Sequence, residues 1–311
     1  MAPSLLYNPA KLPPSAALQL AQQAPIVLQQ SLSGTETVDQ WATYENLLLS
    51  CLRTGDDEAA AKCMDRLEER FGADNERVMA LRGLLSEAQA ENNGELEAVL
   101  KQYDAILEGN NTNIPITKRR IALLRSMGRV SDAASALVQF LDFSPTDAEA
   151  WSELSDLYFS QGLYSQAIYA LEEVLLLSPN AWNIHARLGE LQYMAATTSG
   201  NGGGSQQKYL AEALKRFARS IELCDDYLRG YYGLKLVTTR LLKEQAKQAK
   251  TDEGEFTLPE PRTIQRLDEL ATAKLSEIVR HSSLKDRGWR GYDEREVAAA
   301  RELLSQNGIE R

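Results

Sequence analysis

Residues 148–179 form one unit of a helical repeat whose spacing recurs before and after them along the chain. Side chains three and four residues apart share one face of an α-helix, and this unit contains two such runs. The six residues that define the runs are Trp151, Leu154, Tyr158, Ala167, Leu171 and Val174. Gly162 separates the runs, and Pro179 follows the second one. The segment therefore predicts two helices joined by a tight turn.

The same spacing recurs with a period of about 34 residues, which is typical of tetratricopeptide repeats. The matching positions in earlier units are Tyr44, Leu47, Cys51, Gly55, Ala60, Met64, Leu67, Gly94, Val99, Tyr103, Ile106, Gly128, Ala133, Leu137, Phe140 and Pro145. Those in later units are Leu188, Gly189, Ala213, Phe217, Ser220, Tyr231 and Leu234. Because one hairpin cannot bury its apolar face alone, the hairpins must stack. We predict an all-α fold, a right-handed superhelical solenoid of tetratricopeptide repeats with helical caps.

The repeats divide the chain into four regions. We place the repeat array at 41–249, with a Gly-rich insertion at 199–205. The run 197–205 contains four glycines together with Ser and Asn, and we expect it not to be helical. An N-terminal helical cap or extension occupies 1–40, a loop occupies 250–262, and a C-terminal helical cap occupies 263–311.

Composition and charge exclude several classes of function. The net charge of -10 argues against a nucleic-acid partner, because phosphates require a basic surface. No run approaches the roughly 18 consecutive apolar residues of a membrane-spanning helix. Prolines interrupt any signal-peptide core near the N-terminus, so we expect the chain to stay in the cytosol. The three cysteines show no metal-ligand spacing.

The sequence contains no recognisable catalytic constellation. Its two histidines, His185 and His281, lie far apart, and neither belongs to a known catalytic motif. His185 occupies the position that Trp151 holds one repeat earlier, which favours a structural role. We therefore predict a protein that is not an enzyme and that needs no cofactor or metal.

The predicted binding surface is the inner face of the superhelix, which the first helix of each repeat lines. Inner-face residues recur at the second, fifth, ninth and twelfth places of a repeat. The candidate partner-binding residues are Lys118, Arg125, Ser152, Asp156, Phe159, Glu190, Tyr193, Tyr232 and Leu236. Because they mix charged, aromatic and aliphatic groups, they suit a polypeptide better than a small ligand.

Two local features each leave two interpretations open. A basic cluster consists of Lys118, Arg119, Arg120, Arg125 and Arg129. It is either a solvated helix face paired with neighbouring carboxylates or a site that captures an acidic partner segment. Trp289 and Arg290 lie in a predicted loop, where they could anchor a partner or touch a membrane surface. The alternative is that Trp289 caps the end of the array.

Beyond the generic repeat residues, the chain resembles subunit 2 of the endoplasmic reticulum membrane protein complex. The strongest signature is the run 149–158, Glu-Ala-Trp-Ser-Glu-Leu-Ser-Asp-Leu-Tyr. The resemblance extends into 164–167, 171–173, Pro179-Asn180, 118–122 and the helix 209–223, and it covers roughly 41–242. These residues identify a family and not only a repeat type.

The resemblance implies a non-catalytic scaffold subunit at the cytoplasmic face of the endoplasmic reticulum. Such a subunit would hold cytosolic segments of membrane-embedded subunits and pair with another soluble subunit, while the membrane-embedded partners insert transmembrane proteins. One alternative is a soluble co-chaperone, although the paired Lys and Asn of its clamp are missing: Lys118 is followed four residues later by Ala122. Another is an auxiliary subunit of a protein-modifying enzyme such as an N-terminal acetyltransferase.

Overall fold

The computed structural model describes residues 6, 12–29, 38–198, 203–247, 259–284 and 291–306, without the side chains of 203–205 and 245–247. Every regular element within these residues is an α-helix. In chain order they are α1 Pro14–Ala21, α2 Ala24–Gln29, α3 Val38–Thr54, α4 Asp57–Phe71, α5 Glu76–Gln89, α6 Asn93–Gly109, α7 Ile114–Ser126, α8 Val130–Phe143, α9 Ala148–Ser160, α10 Tyr164–Leu177, α11 Trp182–Thr198, α12 Gly203–Leu223, α13 Leu228–Lys247, α14 Pro261–Ser283 and α15 Glu294–Gln306.

The helices form two compact units, 1–136 and 137–311, and the boundary falls within α8. We refer to them as the first unit and the second unit and describe each by itself. In both units, consecutive helices pack as hairpins, as α3 does with α4 and α9 with α10. The paired helices correspond to the two helices of a predicted repeat.

Side-chain caps determine where several of the helices begin. Asp56, Asn75, Asn92, Asn113 and Asp147 each accept a hydrogen bond from a backbone N–H in the first turn of the following helix. These bonds satisfy donors that the helix itself leaves without partners. Short polar residues just before these five helices therefore encode where they begin.

Glycine forms the turn inside three of the repeats. Gly55, Gly128 and Gly162 adopt φ values of 75°, 75° and 74°, a left-handed conformation that other residues rarely adopt. After each glycine, the next backbone N–H donates to the carbonyl five residues before it, as Leu163 does to Tyr158 at 2.9 Å. Gly94 differs, because it lies in the first turn of α6, which starts from the Asn92 cap.

The first unit buries an apolar core between α3, α4 and the start of α5. It includes Tyr44, Leu47, Cys51, Ala60, Cys63, Met64 and Leu67, all under 5% exposed. Ala21 and Ala24 join this core from α1 and α2, which pack on α3 and α4. The N-terminal helices thus cover the first hairpin, at the place where the sequence predicts a cap.

In the second unit, the last helices pack on the end of the repeat array. α14 packs along α13, and α15 contacts both of them. The ammonium of Lys235, only 3% exposed, lies 2.7 Å from a carboxylate oxygen of Asp268 on α14. Thr238 donates a hydrogen bond to the other oxygen at 2.7 Å. Because a buried charge requires a partner, this contact fixes how α14 lies on α13.

The non-helical segment predicted around the Gly-rich insertion was too long. We expected residues 197–205 not to be helical, but α11 continues through Thr198 and α12 begins at Gly203. Residues 199–202 lie outside the described residues. α11 and α12 pack closely along their lengths. Tertiary packing of this kind outweighs the weak helical preference of residues at the helix ends.

Candidate binding cleft

The second unit contains a cleft of about 580 Å³ on the side formed by the first helices of its repeats. We call it the inner cleft. Its walls come from α9, α11 and α13, and Leu171 and Phe217 belong to its lining from the second helices. The remaining lining residues are Ser152, Asp156, Asn183, Ile184, Ala186, Arg187, Glu190, Tyr193, Met194, Tyr227, Arg229, Tyr232, Gly233 and Leu236.

Six of the nine residues predicted from the inner-face positions line this one cleft. They are Ser152, Asp156, Glu190, Tyr193, Tyr232 and Leu236. Phe159 lies on α9 and contacts Arg187, a cleft residue. The repeat positions therefore predicted which side chains the fold brings together in the second unit. Their role in binding a partner stays a prediction.

Arg187 lies at the centre of the charged part of the inner cleft. Its guanidinium is 3.1 Å from an Asp156 oxygen on α9 and 2.8 Å from a Glu190 oxygen on α11. The same guanidinium lies 4.9 Å from the centroid of the Phe159 ring, a cation–π contact. Both carboxylates remain 53% exposed. This arrangement leaves the carboxylates open to a further partner.

The other part of the inner cleft is aromatic and aliphatic. Tyr193 and Tyr232 are half-buried, and the Arg240 guanidinium lies 5.7 Å from the Tyr193 ring centroid. Burial raises the pKa of the Tyr232 hydroxyl, with a smaller contribution from the negative charge of Glu302. Tyr232 therefore stays a neutral hydrogen-bond donor at physiological pH. Half-buried tyrosines beside a charged group are typical anchors for polypeptides.

Close backbone approach forms the floor of the inner cleft. A Cβ atom on Gly233 would lie 2.0 Å from the Phe217 ring, so α13 and Phe217 approach each other only because residue 233 is glycine. Gly189 on α11 lies against the same ring, at 3.0 Å by the same measure. These two glycines hold the helices around Phe217 and set the depth of the cleft.

The inner-face positions missed Arg187. It occupies the sixth place of its repeat, next to the fifth place that we had assigned to the inner face. A usable signal existed, because Arg119 holds the same place two repeats earlier. An arginine that recurs at one repeat position points to an ion pair between successive first helices, and both arginines form such pairs.

The basic cluster of the first unit is largely paired within the chain. Arg119 binds Glu87, Arg120 lies 2.6 Å from Asp104, and Arg129 lies 2.7 Å from Asp132 and 3.3 Å from Glu97. These contacts favour the first interpretation of the cluster, a helix face paired with neighbouring carboxylates. Lys118 and Arg125 lie on α7 in the first unit, and neither is without an interaction. They are not among the residues lining the inner cleft.

The other residues singled out from the sequence are a loop pair near the C-terminus, one histidine and two cysteines. Trp289 and Arg290 lie outside the described residues. His185 is 6% exposed, and its Nε2 lies 3.0 Å from the Pro179 carbonyl oxygen, which fits the structural role predicted for it. Burial raises the pKa of Cys51 to about 11 and that of Cys63 to about 12, so both thiols are protonated core residues.

The described residues offer neither a metal site nor a membrane-spanning helix. No group of three or more His, Cys, Asp or Glu side chains there could hold a metal ion. Among the helices of the same part of the chain, none has the length and apolar content to cross a bilayer.

Comparison with known proteins connects this architecture to a family. The family described as the EMC2 TPR-like repeat domain matches residues 73–202. The TPR repeat protein oca3 of Schizosaccharomyces pombe is 32% identical over 240 residues, which cover 75% of this chain and 81% of that protein. ER membrane protein complex subunit 2-A of Xenopus laevis is 30% identical over 212 residues, covering 68% of this chain and 67% of the relative.

A solved structure supports the fold. The C-terminal part of a TPR repeat-containing protein from Cytophaga hutchinsonii superposes with a TM-score of 0.50 and covers 90% of this chain and 93% of that one. At 13% identity, the likeness concerns the fold alone. Together with the helices of the described residues, it confirms the all-α tetratricopeptide fold class predicted from the repeat spacing.

Proposed function

The chain belongs to the family of ER membrane protein complex subunit 2, and from this premise we propose that it is a non-catalytic scaffold subunit of that complex. In this role it organises soluble and membrane-embedded subunits from the cytoplasmic face of the endoplasmic reticulum membrane. The insertion of transmembrane proteins is then carried out by the membrane-embedded partners. This chain contributes the surface on which they assemble.

The observation that carries the proposal is the inner cleft. It is large enough for several side chains of a polypeptide, with a volume of about 580 Å³. Tyr193, Tyr232 and Leu236 offer apolar anchoring surface, while Arg187 and its two exposed carboxylates offer polar contacts. Such a mixture of aromatic anchors and charges is characteristic of protein interfaces.

The first test is affinity purification of the tagged full-length chain from detergent-solubilised membranes and, separately, from cytosol, with mass spectrometry of the partners. We expect a stable set of endoplasmic reticulum membrane proteins in the membrane fraction. Recovery of soluble chaperones alone, or of an acetyl-transfer activity in the purified assembly, would contradict the scaffold role and favour one of the alternatives named above.

A single substitution then tests whether the inner cleft is the assembly surface. Arg187→Ala removes the guanidinium that holds Asp156, Glu190 and Phe159 in place. We expect partner recovery to fall about tenfold or more, the effect of losing one anchor of an interface. Because the two ion pairs are exposed, the free energy of unfolding should change by less than about 1 kcal/mol.

Arg129→Ala is the matched control for this substitution. Arg129 also pairs with one carboxylate three residues ahead, Asp132, and with one on an earlier helix, Glu97. It belongs to the first unit and is not among the residues that line the inner cleft. Equal losses of partners in the two variants would remove the inner cleft from the proposal while leaving membership of the complex untouched.

A further inference from the structure

The repeat pattern continues into the C-terminal helix α14. Three buried residues of this helix have the spacing of a second repeat helix: Ala271, Leu275 and Ile278. The matching residues of α10 are Ala167, Leu171 and Val174. α14 also packs along α13 as α10 packs along α9. α14 is therefore the second helix of the repeat that α13 begins.

The following helix, α15, has the pattern of a first repeat helix. Its buried residues are Val297, Ala300, Leu303 and Leu304. They have the spacing of Trp151, Leu154, Leu157 and Tyr158 in α9. The Asp293 carboxylate accepts a hydrogen bond from the Arg295 backbone N–H at 2.7 Å, as Asp147 does from Ala150 at 2.9 Å before α9. Cap and core together align the start of α15 with the start of α9.

This alignment assigns the second, fifth, ninth and twelfth places of α15 to the inner face. The residues there are all exposed, and they are Arg295, Ala298, Glu302 and Ser305. Two interactions join α15 to the inner cleft. The cleft residue Arg229 lies 2.6 Å from Glu296. Burial, and then the negative charge of Glu302, raises the pKa of the cleft residue Tyr232. The surface of the inner cleft therefore continues onto α15.

The ninth place of each first helix shows which charges a partner meets along this surface. From α9 to α15 it holds Asp156, Glu190, Leu236 and Glu302. Arg187 pairs with both Asp156 and Glu190, which leaves one negative charge in excess at that end. Glu302 forms no ion pair within the described residues, and its carboxylate accepts a hydrogen bond from the Gln306 amide at 3.3 Å. A complementary partner has a cation at each end and an apolar group facing α13.

The spacing of the first helices favours one backbone conformation for such a partner. α11 packs on α13 and α13 on α15, and packed helices lie about 8–10 Å apart. A polyproline II segment turns once in three residues and rises about 3.1 Å per residue, so every third side chain returns to one face after about 9 Å. A β-strand does not match, because its side chains three residues apart point to opposite faces.

Aromatic side chains along the same surface suit this conformation. Tyr193 and Tyr232 line the inner cleft between its two charged ends, and both are half-buried. Grooves lined by aromatic residues are the usual sites for polyproline II segments, which are already ordered before they bind. Spacing, charge and aromatic lining thus agree on one kind of partner.

We propose that the inner cleft and α15 together bind one ten-residue partner segment in the polyproline II conformation. Its first, fourth, seventh and tenth residues face α9, α11, α13 and α15. The first and the tenth are Lys or Arg, and the seventh is apolar and packs beside Leu236. Glu302 binds the last cation and is a specificity-determining residue of the surface. This inference rests on the proposed role of the inner cleft as the assembly surface.

The test measures binding of a fluorescent synthetic decapeptide to the purified full-length chain by anisotropy. The decapeptide has lysine at its first and tenth positions, leucine at its seventh and proline at the other seven, which hold it in polyproline II. We expect saturable binding, and none for a decapeptide with glutamate at both ends. Glu302→Gln should weaken binding about fivefold, the effect of losing one exposed ion pair.

A double-mutant cycle shows whether Glu302 contacts the last lysine of the decapeptide. Alanine in place of that lysine should weaken binding to the wild-type chain about fivefold and should have little further effect on Glu302→Gln. Glu269→Gln is the matched control. Glu269 is also exposed and accepts a hydrogen bond from a glutamine amide at 3.3 Å, but it lies on the second helix α14. This variant should bind the decapeptide as the wild type does.

The proposal is overturned if the decapeptide shows no saturable binding or if the glutamate-ended peptide binds equally well. Losses that simply add in the double-mutant cycle, or an equal loss in Glu269→Gln, also overturn it. Failure here is distinguishable from failure of the scaffold role, because that role is measured by the partners of the wild-type chain. A chain that keeps its membrane partners but does not bind the decapeptide retains the scaffold role and loses the polyproline II segment.

Discussion

Arg119 in the first unit and Arg187 in the second unit hold the same repeat position but do different things. Arg119 binds Glu87, whose carboxylate also accepts a hydrogen bond from the Tyr103 hydroxyl at 2.5 Å. Glu87 is 12% exposed and Tyr103 is 2% exposed. Arg187 binds two carboxylates that are each 53% exposed, beside an open cleft.

The difference shows that the repeat position of an arginine determines which helices it joins. It does not determine whether the ion pair is buried or exposed to a partner. In the first unit, a tyrosine from the second helix α6 fills the space between α5 and α7 and completes a shielded network. In the second unit, Gly189 and Gly233 have no side chains, so the Phe217 ring packs directly against the backbone of α11 and α13. The inner cleft beside this ring stays open. One pairing therefore contributes mainly to stability, whereas the other is available to a partner.

The largest expected effect on the free energy of unfolding comes from breaking the network of Glu87, Arg119 and Tyr103. Glu87→Ala leaves the Arg119 guanidinium and the Tyr103 hydroxyl without their carboxylate in a region that water reaches poorly. We expect a loss of about 2–3 kcal/mol in the free energy of unfolding, because unpaired buried polar groups are costly. Chemical denaturation of the purified chain measures this loss.

Glu190→Ala in the second unit is the matched control for Glu87→Ala. It removes one of the two exposed carboxylates that Arg187 contacts, so its cost should be within about 1 kcal/mol. If the two substitutions destabilise the chain equally, then the contrast between a shielded and an exposed pairing does not hold.

A smaller effect on the free energy of unfolding is expected from disturbing how Tyr103 packs against Gly83. A Cβ atom on Gly83 would lie 2.2 Å from the Tyr103 hydroxyl oxygen, and the buried ring has little room to move. Gly83→Ala should therefore lower the free energy of unfolding by about 1–2 kcal/mol, even though alanine favours helix more than glycine does. Thermal unfolding of the variant provides the measurement.

Gly109→Ala is the control for Gly83→Ala, because it measures the effect of replacing a helical glycine by alanine where no side chain is displaced. Gly109 lies at the end of α6, and a Cβ atom there meets nothing within 4 Å. The control should be neutral or slightly stabilising. A Gly83→Ala variant as stable as this control would mean that Tyr103 adjusts freely and that the network is less rigid than its burial suggests.

Repeat spacing predicted the helical hairpins well because the information for each hairpin is local. Apolar residues three and four apart, a glycine at the turn and a short polar cap all act within one unit, as at Asp147 and Gly162. The ends of α11 and α12 were the exception. Their helical state depends on packing between helices, which the glycine content of 197–205 does not reveal.

The candidate site was predictable in its location and not in its detail. Six inner-face residues line the inner cleft because repeat position determines which face a side chain occupies. Arg187 was missed, since its contribution depends on carboxylates 31 residues earlier and three residues later.

The smallest expected effect is a change with pH in the free energy of unfolding, caused by His185, a buried histidine of the second unit. Burial lowers its pKa, and the Arg216 and Arg219 charges also disfavour protonation, although the bond to the Pro179 carbonyl opposes this shift. The unfolded chain therefore binds a proton at a higher pH than the folded chain does. Stability from the neutral ring should be fully present above the ordinary histidine pKa, about 6.5, and should decline as pH falls below it.

His185→Gln isolates this contribution, because a glutamine amide can donate to the same carbonyl but does not titrate. We expect the difference in free energy of unfolding between wild type and variant to be constant from pH 8 to about pH 7 and to shift against the wild type below about pH 6.5. His281 is present in both proteins, so its titration cancels in the difference. A difference that stays flat down to pH 5 would mean that the folded ring accepts a proton as readily as the unfolded one. The Nδ1 would then already have a partner or ready access to water, and burial of the ring would not control its titration.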